Sequence, residues 1–297
     1  MKTKSLIIVL GPTAIGKTSV AIDLAKHYKT EIISCDSRQF YKELIIGAAP
    51  PSKEQLKITK HHFIHHLSVC DDYNAGKFEI DAITKIEKLF EKNNKIIMAG
   101  GSGLYIDAIS YGIDKTPNIS DQIREKIINL YNVNGIQFLQ KEIENKDPMY
   151  FEKVDIQNPQ RLMRALGVIY QTNKSYSSFM KNKKKERDFN VIKIGLEINR
   201  EKLYSKINKR VDNMIKEGLI EEVRSLIDYK NKNALQTVGY KEIFEYIDGK
   251  LKLDEAIDKI KRNTRRFAKR QITWFNKDTS INYFNPGGLD KIINSIE

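Results

Sequence analysis

The chain has 297 residues, of which 40% are hydrophobic and 30% charged, a balance that allows a buried core and argues against wholesale disorder or a fibrous repeat. Its formal net charge of +13 favours either an anionic partner, such as a nucleic acid, or an incidental excess of surface lysine. Two cysteines, Cys35 and Cys70, are too few for a disulfide framework and fit a reducing, cytoplasmic compartment. The apolar run at positions 6–10 is too short for a signal peptide or a membrane span, so no membrane partner is expected.

The first part of the chain alternates the patterns of strands and helices. A buried strand is predicted over Ser5–Leu10, and a glycine-rich turn and an apolar-periodic helix follow it. Further strands are predicted at 31–35 and 95–99, and the latter leads into another glycine-rich turn and helix start. This alternation predicts an α/β fold with a P-loop NTPase-like parallel sheet flanked by helices.

From about Tyr111 the sequence becomes polar and helix-forming, and no strand is predicted before 191–198. We therefore expect a mostly helical insertion at 113–187, inside a core made of 1–112 and 188–297.

Three helices are predicted after the insertion. The first carries its apolar positions at helical spacing from Leu203 to Ile215, and Gly218 closes or kinks it. The other two are predicted at 243–247 and 256–275.

The turn after the first strand matches the phosphate-binding pattern GxxxxGK[ST], and it lies between a strand and a helix as that pattern requires. Glycines let backbone N–H groups turn toward a phosphate, the lysine reaches the terminal phosphates, and the Ser/Thr hydroxyl can hold Mg²⁺. The pattern leaves open which polyphosphate or diphosphate is bound. Its residues are Gly11, Pro12, Thr13, Ala14, Ile15, Gly16, Lys17 and Thr18.

Polar residues also follow the next two strands. Asp36 at the end of the second strand suits a metal ligand or a general base, although an Asp that caps a turn is the plainer alternative. Ser102 follows the third strand within a Gly-Gly-Ser-Gly turn, and its hydroxyl is expected at the same crevice unless that turn serves only to connect strand and helix.

Two further groups of residues have a structural and a functional interpretation. His61, His62, His65 and His66 resemble a metal cluster, but no Cys or carboxylate completes a tetrahedral set at the usual spacing, so partly exposed surface histidines are favoured. Cys35 suits a nucleophile only if a histidine approaches it, and a small side chain filling the strand is favoured instead.

Part of the excess positive charge lies in two basic segments. One contains Lys181, Lys183, Lys184, Lys185 and Arg187. The other, at 261–270, has helical spacing that collects positive groups on one side of a helix: Lys261, Arg262, Arg265, Arg266, Lys269 and Arg270.

The motifs together resemble the tRNA dimethylallyltransferases, also called tRNA isopentenyltransferases, of the bacterial type. The resemblance covers the loop at 11–18, Asp36-Ser37-Arg38-Gln39 and the turn at 100–105. It continues, in family order, through segments at 158–166, 200–203, 208–211, 236–242 and 269–275. The loop alone is shared with many ATP-binding proteins, whereas the ordered set is highly specific.

The resemblance implies transfer of a dimethylallyl group from dimethylallyl diphosphate to the exocyclic N6 amine of the adenosine immediately 3′ of the anticodon, position 37. It implies that Lys17, Mg²⁺ on Thr18 and Arg210 neutralise the leaving diphosphate, with no ATP hydrolysis, and that Asp36 accepts the proton of the amine. Ser102 replaces the threonine usual in the family and keeps the hydroxyl. The implied partners are the anticodon stem-loop and the diphosphate donor, and a monomer is expected.

The target base must leave its stack, so the resemblance also implies contacts that hold a splayed anticodon loop. Beyond Asp36 and Ser102, the implied tRNA contacts are Ser37, Arg38, Gln39, Arg124, Gln160, Arg161, Leu162, Met163, Arg164, Gln236, Thr237, Val238, Gly239, Tyr240, Lys241, Lys269, Arg270, Gln271, Ile272, Thr273, Trp274, Phe275 and Asn276.

Three alternatives stay open at this point. An adenylate isopentenyltransferase shares the loop and Asp36 but has less use for a cationic insertion and a basic helix. A small-molecule kinase accounts for the first hundred residues only. A non-catalytic RNA-binding protein with a nucleotide switch does not need both Asp36 and Lys17.

Overall fold

A computed structural model describes residues 4–181 and 184–297. In this part of the chain the strands are β1 Ser5–Leu10, β2 Ile32–Ser34, β3 His61–His62, β4 Lys95–Gly100, β5 Asn190–Leu196 and β6 Ile281–Phe284. The α-helices are α1 Lys17–His27, α2 Lys53–Ile58, α3 Ala75–Leu89, α4 Gly103–Tyr111, α5 Asp121–Lys146, α6 Pro148–Phe151, α7 Pro159–Thr172, α8 Arg200–Lys216, α9 Leu219–Ser225, α10 Tyr240–Ile247, α11 Leu253–Phe275 and α12 Leu289–Ile296.

The strands form one parallel sheet in the order β3-β2-β4-β1-β5-β6. Leu10 at the end of β1 is level with Gly100 of β4 on one side and Gly195 of β5 on the other. Ser34 at the end of β2 pairs with Ala99. The carboxyl ends of β1, β2 and β4 therefore finish at one edge of the sheet, and the turns that follow them meet there.

Helices cover both faces of this sheet. Alternate residues of β1 point to opposite sides, so that Leu6 and Ile8 pack with α3, α4, α10 and α11, whereas Ile7 and Val9 pack with α1, α8 and α12. Every residue of β1 is buried. A strand that is buried on both sides consists of consecutive apolar residues, and for this reason β1 could be predicted from the sequence.

Two compact units divide the chain. The first takes in the chain up to Tyr111 and again from Glu186 to Glu297, and it contains the whole sheet. The second, Gly112–Lys185, contains α5, α6 and α7 around its own core of Ile127, Leu139, Ile143, Leu162 and Leu166. Ser120 caps α5, and Gly135, with φ of 73°, interrupts it. The predicted helical character of 113–187 is confirmed by these elements.

The α/β fold and four of the strands were predicted correctly, although β2 and β5 are shorter than expected. Gly218 adopts φ of 99° just after the end of α8, as its predicted role requires. The two-residue strand β3 and the short strand β6 were not predicted. Both lie at the edges of the sheet, where length and apolar character are weakest.

Arg187, the last residue of the basic run at 181–187, is used within the protein. Its guanidinium is largely buried in the first unit, where Nε donates to the carbonyl of Ile109 at 2.8 Å and Nη2 to the carbonyl of Ala108 at 2.7 Å. Nη2 also pairs with Glu79 at 3.0 Å. Arg187 therefore ties the entry of β5 to α3 and α4. Lys183, of the same run, lies outside the described residues.

Among the described residues, no helix combines the length and the apolar character that a membrane crossing requires.

Candidate active site

The turn between β1 and α1 has the backbone that a phosphate-binding loop needs. Gly11 has φ of 148° and Gly16 has φ of 113°, values in the region that favours glycine. A Cβ on Gly11 would also lie 3.0 Å from the carbonyl oxygen of Leu196 in β5. Because α1 begins at Lys17, the unpaired N–H groups of its first turn lie at the end of this loop.

Two cations form hydrogen bonds to the loop. Lys17 donates from Nζ to the carbonyl of Pro12 at 2.9 Å, and Arg210 of α8 donates from Nη1 to the hydroxyl of Thr13 at 3.1 Å. Burial lowers the pKa of Lys17 to about 8; nearby Asp36 opposes this shift and Arg210 adds to it. Burial also lowers the pKa of Arg210, against the pull of Asp36. Two partly desolvated cations at such a loop favour an anionic ligand.

Asp36 stands at the end of β2, facing these cations. Its Oδ1 accepts the backbone N–H of Arg38 at 3.1 Å, so the carboxylate does cap a turn, as the plainer interpretation expected. Its electrostatic influence on Lys17 and on Arg210 shows that it also belongs to the loop's surroundings.

The turn after β4 packs against the turn after β2. Ser102 accepts the N–H of Ser37 at its hydroxyl, at 3.1 Å. The N–H of Cys35 donates to the carbonyl of Ala99 at 2.7 Å. A Cβ on Gly100 would lie 1.9 Å from the carbonyl oxygen of Cys35. Only glycine permits this approach, and it brings Ser102 beside the segment that carries Asp36.

A glutamine joins the loop to the turn after β4. Gln271 of α11 accepts the N–H of Thr13 at Oε1, at 2.9 Å, and donates from Nε2 to the carbonyl of Gly101 at 2.8 Å. Gln271 is 7% exposed, and a Cβ on Gly101 would lie 2.4 Å from its Nε2. The side chain that was predicted to contact tRNA is therefore used to position the glycine-rich loop.

Glu222 of α9 is a positioning residue that the sequence analysis missed. Its carboxylate accepts the N–H groups of Ile45, Ile46 and Gly47 at 2.7–3.0 Å and the hydroxyl of Tyr240 at 2.6 Å. It thereby holds Gly47 and Tyr240 in place, and the segments 47–49 and 237–239 next to these contacts line the cavity described below. An acidic residue early in a short helix carries no sequence signal of such a role.

Lys17, Asp36, Ser102, Arg210 and Gln271 line one cavity of about 690 Å³ in the first unit. It brings together residues from the glycine-rich loop, from the turns after β2 and β4, and from α8 and α11. The predicted site residues that line it are Thr13, Ala14, Gly16, Lys17, Thr18, Asp36, Ser37, Arg38, Gln39, Ser102, Arg210, Thr237, Val238, Gly239, Arg270, Gln271 and Trp274.

Several predicted tRNA contacts have other roles in the structure. Leu162 is fully buried in the core of the second unit, and Tyr240 and Phe275 are buried in that of the first, so their side chains pack rather than face a ligand. Arg38 donates from Nη1 to the carbonyls of Asn233 and Ala234 at 3.0 and 3.1 Å. Arg164 donates from Nη2 to the hydroxyl of Thr116 at 2.6 Å.

Other predicted contacts are exposed or partly exposed. In the second unit Arg124, Gln160 and Arg161 are exposed and Met163 is half-buried. In the first unit the exposed ones, besides Arg270 and Trp274, are Gln236, Lys241, Lys269, Ile272, Thr273 and Asn276.

The histidine segment is not built for a metal. Among the described residues, no group of three or more His, Cys, Asp or Glu side chains is arranged to hold a metal ion. His62 pairs with Glu31 at 2.5 Å, and His66 packs edge-on against Phe40, Phe63 and Tyr73. His61, His62 and His65 are partly exposed and His66 is exposed, as predicted.

Cys35 is fully buried, and burial raises the pKa of its thiol well above the ordinary value. This burial agrees with the prediction that Cys35 is a small side chain that fills space at the end of the strand.

The fold and the loop together define an α/β protein with a P-loop-like arrangement, in which α8 and α11 complete the cavity. A sequence model described as IPP transferase matches residues 39–278. The chain therefore belongs to the IPP transferase family.

Individual relatives agree over nearly the whole length. A tRNA dimethylallyltransferase of Christiangramia forsetii is 53% identical over 94% of this chain and 92% of the relative, and one of Flavobacterium johnsoniae is 50% identical over 95% and 93%. The crystal structure of the full-length tRNA isopentenylpyrophosphate transferase of Bacillus halodurans superposes with a TM-score of 0.72 at 33% identity, covering 99% of this chain and 94% of the other. A eukaryotic dimethylallyltransferase acting on tRNA shares the fold, with a TM-score of 0.80 at 24% identity over 97% of this chain and 75% of the other.

Proposed function

We propose that this protein transfers a dimethylallyl group from dimethylallyl diphosphate to the N6 amine of adenosine 37 in tRNA. Family membership supports the reaction. The observation that carries the residue roles is that Lys17, Arg210 and Asp36 line one cavity, in which Asp36 lies close enough to act electrostatically on both cations. The two cations can neutralise the charge of the leaving diphosphate. The carboxylate can accept the proton of the amine, which takes the place of the diphosphate on the donor carbon.

The diphosphate is the leaving group, so its growing negative charge must be stabilised. We place it on the glycine-rich loop, within reach of Lys17, Arg210 and the N–H groups at the start of α1. The carbon–oxygen bond of the donor breaks and the diphosphate leaves with the electron pair. Hydrogen bonds to Pro12 and Thr13 already hold both cations at the loop, which lowers the cost of reorganisation.

The N6 amine of adenine is a poor nucleophile and must lose a proton when its nitrogen bonds to the donor carbon. We assign Asp36 to accept that proton and to orient the amine by a hydrogen bond. Ser102 stands beside it through its bond to the N–H of Ser37 and offers a hydroxyl to the same end of the cavity.

Mg²⁺ fits this site as an ion carried largely by the diphosphate. The side chains of Thr18 and Asp36 supply oxygen atoms to the cavity, and Mg²⁺ in proteins keeps several waters and takes few protein ligands. Thr18 would hold the ion, which would neutralise part of the charge on the diphosphate when bound.

The RNA must deliver one unstacked base into the cavity while its backbone lies outside. We propose that the anticodon stem-loop contacts the exposed cations of α11, which are Arg262, Arg266, Lys269 and Arg270. We also propose tRNA contacts for three exposed residues of the second unit, Arg124, Gln160 and Arg161. Lys261 and Arg265 of the same basic run are committed to α8, since Lys261 pairs with Asp212 at 2.6 Å and Arg265 donates to Asn208 at 2.7 Å. We further propose that the protein acts as a monomer in the cytoplasm, where its free thiols Cys35 and Cys70 stay reduced.

The reaction is tested with purified protein, Mg²⁺ and labelled dimethylallyl diphosphate, mixed with unmodified tRNA, with AMP, or with neither. We expect label in tRNA alone, and none in a tRNA whose position 37 is guanosine. Label in AMP but not in tRNA would replace the proposal with an adenylate isopentenyltransferase. ATP consumed without transfer would favour a kinase.

The role of Asp36 is tested by Asp36→Asn, because Asn keeps an oxygen for the N–H of Arg38 and so preserves the turn. We expect transfer to fall by about 10²- to 10⁴-fold with tRNA affinity unchanged. Asp71→Asn is a matched control, since Asp71 also accepts a backbone N–H, that of Ser68 at 2.7 Å, in an exposed turn. Lost tRNA affinity with normal transfer at saturation would contradict the assignment of Asp36 as the base.

A further inference from the structure

Large apolar side chains are exposed at the mouth of the cavity. Phe267 is 39% exposed and Trp274 is 37% exposed, and both line the cavity. They lie seven residues apart on α11, which puts them on one face of the helix, two turns apart. Leu104, at the start of α4, is 51% exposed and lines the same cavity. Apolar groups gathered at a cavity mouth mark a binding surface more than scattered exposed residues do.

A cation lies between the two aromatic rings in the sequence of α11. Arg270 also lines the cavity, and its guanidinium is 5.7 Å from the centre of the Phe267 ring. Three more exposed cations, Arg262, Arg266 and Lys269, follow the same helix. Aromatic rings combined with a positively charged track are the means by which proteins bind unpaired nucleotides, with bases on the rings and phosphates on the cations.

The ring of Trp274 is held in place before any ligand arrives. Its indole N–H donates to Oδ2 of Asp107 at 2.9 Å. Its five-membered ring lies against Gly103, where a Cβ would be only 2.5 Å from Cδ1. A ring fixed by a hydrogen bond and by close packing loses little conformational entropy when a flat ligand stacks on it.

We propose that Phe267, Arg270 and Trp274 form a stacking row that receives the unpaired bases next to the adenosine held in the cavity. The inference rests on the proposed function and adds to it the mode of RNA recognition. Phe267 lies outside the segments for which the family resemblance implies tRNA contacts. We take the ligand of this row to be a nucleobase, because the row combines aromatic faces with positive charge and lines the cavity that would hold the target base.

Trp274 is the only tryptophan of the chain, so intrinsic tryptophan fluorescence reports on this row alone. Titration with unmodified anticodon stem-loop RNA should quench its emission with the same midpoint as binding followed by anisotropy of labelled RNA. Binding by anisotropy with unchanged tryptophan emission would overturn the role of Trp274.

Phe267→Leu removes the aromatic face and keeps an apolar side chain. We expect it to weaken binding of the stem-loop about tenfold, and Phe267→Tyr to restore binding. Tyr229→Leu is the control, because Tyr229 is an exposed aromatic residue of the same unit that does not line the cavity.

Stem-loops with one abasic nucleotide beside the target adenosine separate stacking from other effects. If a base stacks on Phe267, its removal weakens binding to the unaltered protein and abolishes the penalty of Phe267→Leu, because the two changes remove the same contact. A penalty that is equal on intact and on every abasic RNA, or no penalty at all, would overturn the proposal.

The same samples distinguish this inference from the proposed function. Transfer by the unaltered protein with normal binding by Phe267→Leu would reject the stacking row alone. Quenching and base-dependent binding without any transfer would support the row and reject the proposed reaction.

Discussion

Lys17 shows how a single side chain can be prepared for an anion. A fully solvated lysine keeps its ordinary pKa of 10.5, but burial lowers the pKa of Lys17 to about 8, and Arg210 contributes in the same direction. The protein thus holds a cation whose charge is poorly compensated. A diphosphate would compensate it, so the cost of burying Lys17 is recovered when the donor binds.

The lowered pKa predicts a pH dependence of donor binding. Above pH 8 the free protein loses the Lys17 proton, so kcat/KM for dimethylallyl diphosphate should fall about tenfold per pH unit. Steady-state kinetics at saturating tRNA, with pH varied in buffers of constant ionic strength, measures this. Lys17→Arg keeps its charge over the same range, so the remaining activity of that variant should show no such fall. A constant kcat/KM for the unaltered protein through this range would contradict the prediction.

Gln271 and Glu222 show why a list of site residues drawn from sequence segments is incomplete. Gln271 belongs to a segment expected to contact tRNA, yet both ends of its amide are bonded to the loop and to Gly101. Glu222 belongs to no such segment, yet it accepts hydrogen bonds from four donors, one of which, the N–H of Gly47, belongs to a residue that lines the cavity. Each acts through groups distant in sequence, and such partners are visible only in the folded chain.

At the scale of elements, the site depends on how closely β2 and β4 approach at their carboxyl ends. The carbonyl of Cys35 lies where a Cβ of residue 100 would be, and the next residue along from Cys35 is Asp36. A small displacement of either strand end would therefore move the carboxylate and Ser102 apart.

We expect Gly100→Ala to destabilise the protein by about 3 kcal/mol or more, since the methyl group would overlap backbone atoms that have no room to move. Gly287→Ala is a matched control: its Cβ would meet one side-chain atom at 3.6 Å, and we expect a change within about 0.5 kcal/mol. Urea unfolding of the two variants measures the difference. Equal stability of both would show that the strand ends can separate freely.

At the scale of the whole molecule, the net charge of +13 is only partly available to a nucleic acid. Arg187, Lys261 and Arg265 are used within the first unit, whereas other cations of α11 are exposed. The position of each cation, and not the total charge, therefore decides which cations can contact a nucleic acid.

If the exposed cations of α11 contact phosphates, tRNA affinity should fall steeply as salt rises. Arg266→Gln should lower the slope of log affinity against log salt by about 1 without changing preference among tRNAs. Lys88→Gln, an exposed lysine of α3, should leave the slope unchanged. Filter binding of tRNA across a salt series measures these slopes. If tRNA affinity does not change with salt, the exposed cations of α11 are incidental surface charge.

The sequence by itself determined the local features of this protein. A glycine-rich turn between a buried strand and a helix, the strand that ends before Asp36 and the helical insertion were all readable, because each depends on neighbours along the chain. Apolar periodicity and glycine placement are local consequences of backbone geometry. The motifs in their order along the chain resemble those of one family, and the observed fold agrees with this resemblance.

Only the tertiary structure decided which side chains are available to a ligand. It turned Gln271, Arg38 and Arg164 inward to hydrogen-bond partners, buried Leu162 and Tyr240, and left Phe267 exposed at the cavity. Buried donors and acceptors must find partners, and those partners lie up to 258 positions away along the chain, as between Thr13 and Gln271. Sequence spacing carries no record of such pairs, so this part of the site could be known only after folding.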